Sequence, residues 1–408
     1  MELPKVRTDE VVRAISEQFN AQTDIRHYSN DVRFSFYNHH DLTEALASGR
    51  AVDLANVPKQ TKKSVMILGS GPTLDEALPL MKDWEGDIIC STSQAVTLLA
   101  WGREPEHIVA LDPDSHSSEI APLDKWEGLK TILHMHPGVT PDLVQKWKGP
   151  ISLFRKLQPQ APFYAGEQAI GYSPLGPFRD GRYWGNESQL SITAQVPMLA
   201  CVLPAQIAVA KHIGYSQLVL VGADFSFPGD KQRFTSKAWE DGKWVDHEPG
   251  SLDDYLNQFQ ASTDPIVETE LDGLKSTAMQ IFYSHQTVIA WRVVESNIIN
   301  ASHAGLLRMF PHVPIDEIVR RGNKGVKGFT LPQIRKVAEE HLAKQNIYFI
   351  CVGNGIMPHE FKDPLHELPR ILPKIKAQLE ASGRGAEIDV EANMKRIRRL
   401  FATVMDAP

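Results

Sequence analysis

The chain has 408 residues, 42% of them hydrophobic and 23% charged, with a formal net charge of −7. This is the profile of a globular protein with room for two or three folded regions, and it excludes nucleic-acid binding through an overall basic surface. The three cysteines, Cys90, Cys201 and Cys351, lie far apart, and no apolar run approaches the roughly 18 residues of a membrane helix, so a cytoplasmic protein without disulfides, zinc knuckle or membrane insertion is expected.

Residues 1–60 begin with Val11, Val12, Ile15 and Phe19 at helical spacing behind Thr8 and Asp9, then the aromatic stretch Phe34-Ser-Phe-Tyr37; they are expected to cap the next domain. From Ser64 the pattern alternates. Strands are expected at 64–68, 87–91, 107–111, 130–134, 151–154 and 217–222, and helices at about 74–84, 93–101, 141–148 and 198–213. That rhythm predicts an α/β fold with a Rossmann-like, doubly wound, mostly parallel sheet over residues 61–327. Two Pro-, Gly- and aromatic-rich segments, 157–187 and 224–250, interrupt it and read as lids over the strand ends. A helix from 274 to about 294 and a strand at 296–299 follow. Residues 328–408 are expected to form a mainly helical appendage, with one strand at 347–352.

The stretch Ser64-Val-Met-Ile-Leu-Gly-Ser-Gly-Pro-Thr-Leu-Asp75 reads as a buried strand entering a helix through a glycine turn. Gly69 and Gly71 permit close backbone approach, and Pro72 suits the first turn of a helix. The N–H groups and positive end of such a helix suit a phosphate, so Gly69, Ser70, Gly71, Pro72 and Thr73 are candidate nucleotide-binding residues. Gly-Lys-Ser/Thr is missing, which excludes a Walker loop here. Leu74 stands where a dinucleotide fingerprint wants a third small residue, and the second strand ends in Ser91-Thr-Ser93 rather than a carboxylate, so the turn points away from NAD. Ser91 and Ser93 instead offer hydroxyls to a sugar or phosphate.

Asp112-Pro-Asp114 follows the strand at 107–111, where a carboxylate pair suits a diphosphate-bound Mg²⁺; a simple turn and direct ligand contact are the other readings. Asp224 closes the strand at 217–222 and is expected either to orient a substrate hydroxyl or to support its loop. His285, near the start of the helix after the second lid, is the candidate general base, ahead of His247 inside that lid. His134-Met-His136 puts two imidazoles on one strand face, yet no third ligand suggests zinc. Neither a Gly-x-Ser-x-Gly elbow nor a Cys/His nucleophile pattern occurs.

Across about residues 60–320 the chain resembles the family that joins motility-associated factor (Maf) flagellin glycosyltransferases to archaeal 6-hydroxymethylpterin diphosphokinase, the MptE-like proteins. It is more distantly similar to bacterial sialyltransferases with a variant Rossmann fold. The resemblance rests on Gly69-Ser-Gly-Pro-Thr-Leu74, Pro105-Glu-His-Ile-Val-Ala-Leu-Asp-Pro113, Ile213-Gly-Tyr-Ser-Gln-Leu-Val-Leu-Val-Gly-Ala-Asp-Phe225 and Ile299-Asn-Ala-Ser-His-Ala-Gly305. It implies that the glycine turn receives a nucleotide's phosphates, with Asp112 and Asn300 close to the nucleotide, and that His285 matches the sialyltransferase base. Ser70 departs from the amide side chain of that branch, and Cys201-Val-Leu203 replaces a hydroxyl-rich turn.

Three functions follow as expectations. The first is a glycosyltransferase using a CMP-activated nonulosonic acid or similar nucleotide sugar, with His285 and Asp224 in catalysis, lid arginines Arg179, Arg182 and Arg233 on the donor carboxylate, and a protein or glycan acceptor. The second is ATP-dependent diphosphate transfer to a pterin alcohol, with Asp112 and Asp114 holding Mg²⁺. The third is a non-catalytic nucleotide binder.

Overall fold

The structure is a computed structural model, and it describes residues 5–8, 10–12, 24–60, 64–111, 126–157, 190, 192–197, 201–227, 237–240, 243–246, 266–294, 296–302 and 305–322. Eight strands make the main sheet: β1 (Ala51–Asp53), β2 (Ser64–Leu68), β3 (Asp87–Ser91), β4 (His107–Ala110), β5 (Ile132–Met135), β6 (Ile151–Leu153), β7 (Gln217–Val221) and β8 (Ile298–Asn300). Their spatial order is β8-β7-β2-β3-β4-β5-β6-β1, and every pairing is parallel. The doubly wound α/β expectation is met. Short apolar runs such as Val65–Leu68 are buried on both faces, as parallel strands between helix layers must be.

Successive residues of β2 feed opposite cores. Met66 and Leu68 pack in a cluster with Leu42 and Ala45 of helix α1 (Asp24–Ala47), Leu74 and Ala77 of α2 (Leu74–Ala77), Ala95 and Leu98 of α3 (Thr92–Ala100), Leu143 and Val144 of α4 (Pro141–Lys146), and, farther along the chain, Ile315 and Ile318. Val65 and Ile67 pack in the other cluster, with Leu203, Ile207 and Ala210 of α5 (Val202–Ile213) and Val288 and Trp291 of α6 (Ala278–Val294). Ile315 and Ile318 belong to the last described helix, α7 (Ile315–Arg321).

Four details differ from the sequence-based expectations. The segment before residue 60 supplies β1, which pairs with β6 at the sheet edge, and Phe34–Tyr37 lie within α1. The helix expected at 74–84 is α2 followed by a 3₁₀ segment at Leu78–Asp83, whose Pro79 lacks the N–H that an α-helical ladder needs. Within the segment expected as the second lid, Lys237–Glu240 pairs antiparallel with Lys243–Asp246. The segment expected as the first lid lies in the chain between the two strands of a parallel pair, Arg155–Leu157 with Gln195–Pro197. The regions 112–125, 158–189 and 323–408, with the expected strand at 347–352, lie outside the described residues.

No described helix is long and apolar enough to cross a membrane.

Candidate functional site

From β2 the chain winds outward one way through β3, β4, β5 and β6, while β7 and β8 lie on the opposite side of β2. The reversal between β2 and β7 is a topological switch point, where ligands of open α/β sheets bind at the carboxyl ends of the strands. The glycine turn leaves β2 there, and Gly222-Ala-Asp224 leaves β7 beside it.

These two segments interlock. The Gly69 N–H donates to Val221 O at 2.8 Å, and the Gly71 N–H to Gly222 O at 2.7 Å. The Thr73 N–H donates to Asp224 Oδ2 at 3.0 Å, and the Thr73 hydroxyl lies 2.8 Å from Oδ1 and 2.9 Å from Oδ2. The fit requires glycine: a Cβ on Gly71 would lie 2.2 Å from Asp224 Oδ2, and one on Gly69 2.4 Å from Gly222 O. Asp224 itself is 1% exposed.

The consequence bears on the phosphate-cradle expectation. Three N–H groups of the turn already have acceptors inside the protein, and a carboxylate caps the head of α2 where an anion would otherwise sit. Pro72 has no N–H, and the Ser70 N–H donates to none of the described residues. Gly71, Pro72 and Thr73 are buried, whereas Gly69 and Ser70 remain part-exposed. Gly69 and Ser70 are therefore the part of this turn that remains accessible.

Neighbouring strand ends complete the edge. Asn300, the last residue of β8, accepts the Ser302 N–H on its Oδ1 at 2.9 Å, and the Ser302 hydroxyl in turn accepts the Ala223 N–H at 2.9 Å. Asn300 is 3% exposed, so it braces the Asp224 loop from within. At the end of β3, Ser91 is buried and Ser93 exposed, their hydroxyls 2.8 Å apart at the head of α3. Buried Gln94, one residue on, donates its Nε2 to the Ser93 hydroxyl at 3.1 Å and leaves its Oε1 without a partner. Beneath the turn, buried Gln206 of α5 donates to Leu68 O at 3.3 Å. Neither glutamine stood out in the sequence.

The loop after Asp224 leads to His285. Phe225 adopts a left-handed backbone with φ of 50°, its carbonyl accepts from the Ser276 hydroxyl at 2.7 Å, and the Phe227 N–H donates to Lys275 O at 2.8 Å. Strand Lys275–Thr277 runs directly into α6, which packs along α5 and carries His285. His285 is 3% exposed on a helix stripe between Ile281 and Val288. Burial pushes the thiol of Cys90 well above its ordinary range and that of Cys201 up to about 12, so neither is a thiolate nucleophile at neutral pH.

Asp112, Asp114, His247, Arg179, Arg182 and Arg233 lie outside the described residues. Among the described residues no group of three or more His, Cys, Asp or Glu is placed to hold a metal ion. His134 and His136 do not act as a pair. His134 meets His107 across the sheet at 2.9 Å, while His136 Nδ1 accepts the Gly138 N–H at 3.0 Å.

Residues 38–230 match the family model described as 6-hydroxymethylpterin diphosphokinase MptE-like. Among solved structures, the chain is similar to the MAf glycosyltransferase from Magnetospirillum magneticum AMB-1, with 15% identity and a TM-score of 0.41 over 84% of this chain and 47% of that one. The chain thus spans about half the length of that protein, 47%. It is also similar to the sialyltransferase CstII from Campylobacter jejuni, solved with the substrate analogue cytidine-5'-monophosphate, with 13% identity and a TM-score of 0.31 over 66% of this chain and 89% of that one. No curated protein matches the chain. The glycine turn and Asp224 both fall within the stretch that matches this family model, which is the family that the sequence motifs resemble.

Proposed function

We propose that the protein is a nucleotide-dependent transferase whose donor is a CMP-activated nonulosonic acid or a similar nucleotide sugar. The observation that carries this reading is the charge of the described segments at the switch-point edge. Segments 69–73, 91–94, 222–226 and 300–302 contain no lysine or arginine, and their one ionisable side chain is the Asp224 carboxylate. Such an edge suits the single phosphodiester of a CMP-sugar better than the several charges of a triphosphate.

In this reading the donor phosphate meets the Ser70 N–H and the hydroxyls at Ser91 and Ser93. Asp224 holds the turn through Thr73 rather than touching the sugar. An acceptor hydroxyl oxygen forms the new bond to the anomeric carbon, the bond from that carbon to the phosphate oxygen breaks, and CMP departs with the electron pair. His285 takes the hydroxyl proton.

A second reading, diphosphate transfer from ATP to a pterin-type alcohol, is favoured by the description of the family matched at residues 38–230. It would call on Asp112 and Asp114 for Mg²⁺.

A thermal-shift panel of CMP, CDP, UDP, ADP and ATP, each with and without Mg²⁺, separates the two. Stabilisation by CMP without metal is expected; a response confined to ATP with Mg²⁺ would favour the diphosphokinase. His285→Ala should retain the CMP response and lose turnover, and unchanged turnover would remove His285 from the mechanism.

A further inference from the structure

At the opposite edge of the sheet, where the strands begin, a line of polar groups, buried except for the part-exposed Asp87, crosses three strands. Tyr215, in the corner between α5 and β7, donates its hydroxyl to Asp87 Oδ2 at 2.6 Å. His107 Nε2 lies 2.8 Å from the same Tyr215 oxygen, and His107 Nδ1 lies 2.9 Å from His134 Nε2. Tyr215, His107 and His134 are 4%, 6% and 0% exposed. His134 stands beside Ser152 of β6 in the strand register, and neither His134 Nδ1 nor Ser152 Oγ has a hydrogen-bond partner.

Proton counting orders the line. Tyr215 has one proton, and an ionised Asp87 can only accept, so the Tyr215 oxygen must accept from His107 Nε2–H. A neutral His107 then presents Nδ1 as an acceptor, and His134 must donate from its own Nε2–H. All three hydrogen bonds point toward Asp87. If Asp87 gains a proton, the opposite order becomes available: Asp87 donates to Tyr215, Tyr215 to His107 Nε2, His107 Nδ1–H to His134 Nε2, and His134 carries its proton on Nδ1. One proton has been added in total, and no histidine has become charged.

We propose that Asp87, Tyr215, His107 and His134 form a reversible hydrogen-bond relay in which the charge on Asp87 sets the tautomer of both histidines. The relay is a proton-sensitive device separate from the switch-point crevice, and it ties the start of β3 and β4 and the middle of β5 to the α5–β7 corner. Among the described residues, the charges that act on Tyr215 are Asp87 of β3 and Glu106 at the head of β4. Arg103 holds Glu106 by hydrogen bonds of 2.9 and 3.0 Å, which keeps that carboxylate engaged outside the relay. Burial and the neighbouring His107 hold the His134 pKa well below its ordinary value, in keeping with a ring that changes tautomer rather than charge.

Long-range ¹⁵N–¹H spectra of the full chain with ¹⁵N-labelled histidine test the relay. At pH 8 the wild type should show His107 and His134 as neutral Nε2–H tautomers. Asp87→Asn, whose end group is uncharged at the same pH, should lose that exclusive state in both rings together. Tyr215→Phe should uncouple the rings from position 87, so that adding Asp87→Asn no longer changes them. An Nδ1–H or imidazolium form of either ring in the wild type at pH 8 would overturn the proposal. So would pure Nε2–H in both rings of Asp87→Asn.

Discussion

The Asp224 carboxylate grips Thr73 from a distance of 151 residues in sequence, accepting its N–H at 3.0 Å while the Thr73 hydroxyl lies 2.8 Å from Oδ1. The pair is the latch between the β2 turn and the β7 loop, and both partners are buried. Asp224→Ala should cost about 1–3 kcal/mol, because it leaves a buried N–H and hydroxyl without their acceptor. Thr73→Val removes only the hydroxyl and should cost less. In a double-mutant cycle by urea unfolding the two should couple by about 0.5–3 kcal/mol, and additive effects would mean that the contact does not hold the latch.

Gly71 is the tightest point of the same interlock. Gly71→Ala forces its methyl group against Asp224 Oδ2 and against Gly222 O, which would lie 2.7 Å away. The carbonyl is backbone and cannot swing aside, so a loss of about 1–3 kcal/mol is expected from overpacking. A urea midpoint equal to that of the wild type would show that the turn relaxes freely.

Among the described residues, Asp53 and His134 contribute to the acid side of the stability curve. Burial by itself pushes the Asp53 carboxyl up, but the Thr193 hydroxyl and the N–H groups of Ala55, Thr193 and Ala194 outweigh it and hold the pKa below the ordinary value of 3.8. Its folded pKa is depressed, so its stabilisation is present above about pH 4 and is lost as pH falls through the folded value. His134 remains neutral in the fold, while in the unfolded chain it takes up a proton below about 6.5. Its contribution is therefore complete above that pH and declines below it. His134→Gln should flatten the dependence of unfolding free energy on pH between about 6.5 and 5 by up to about 1.4 kcal/mol per unit. Identical slopes in wild type and variant would contradict a buried neutral His134.

Much of the sheet was legible because its strands are unbroken apolar runs: Val65–Leu68 and Leu218–Val221 can be buried only between two helix layers. β1 was not, since Ala51-Val-Asp53 is three residues long with Val52 pointing outward at 37% exposure. The role of Asp53 was equally hidden, because its partners Thr193 and Ala194 lie 140 and 141 residues away. The glycine turn was visible as a motif, yet whether its N–H groups face a ligand or the protein depends on the loop after β7. The spacing of His134 and His136 was plain, but the register sets His134 opposite Val109 and diagonal to His107, whose ring it meets instead, and no local pattern encodes that.

In the proposed function a nucleotide meets this protein at the exposed part of the glycine turn. The direct measurement is a titration of CMP into ¹⁵N-labelled protein without metal, following the backbone amides of residues 69–74. A saturable shift is expected at Ser70, with smaller changes at Gly71 and Thr73, whose N–H groups are already held by Gly222 and Asp224. CMP binding that leaves Ser70 unmoved, or no CMP binding at millimolar concentration, would contradict it.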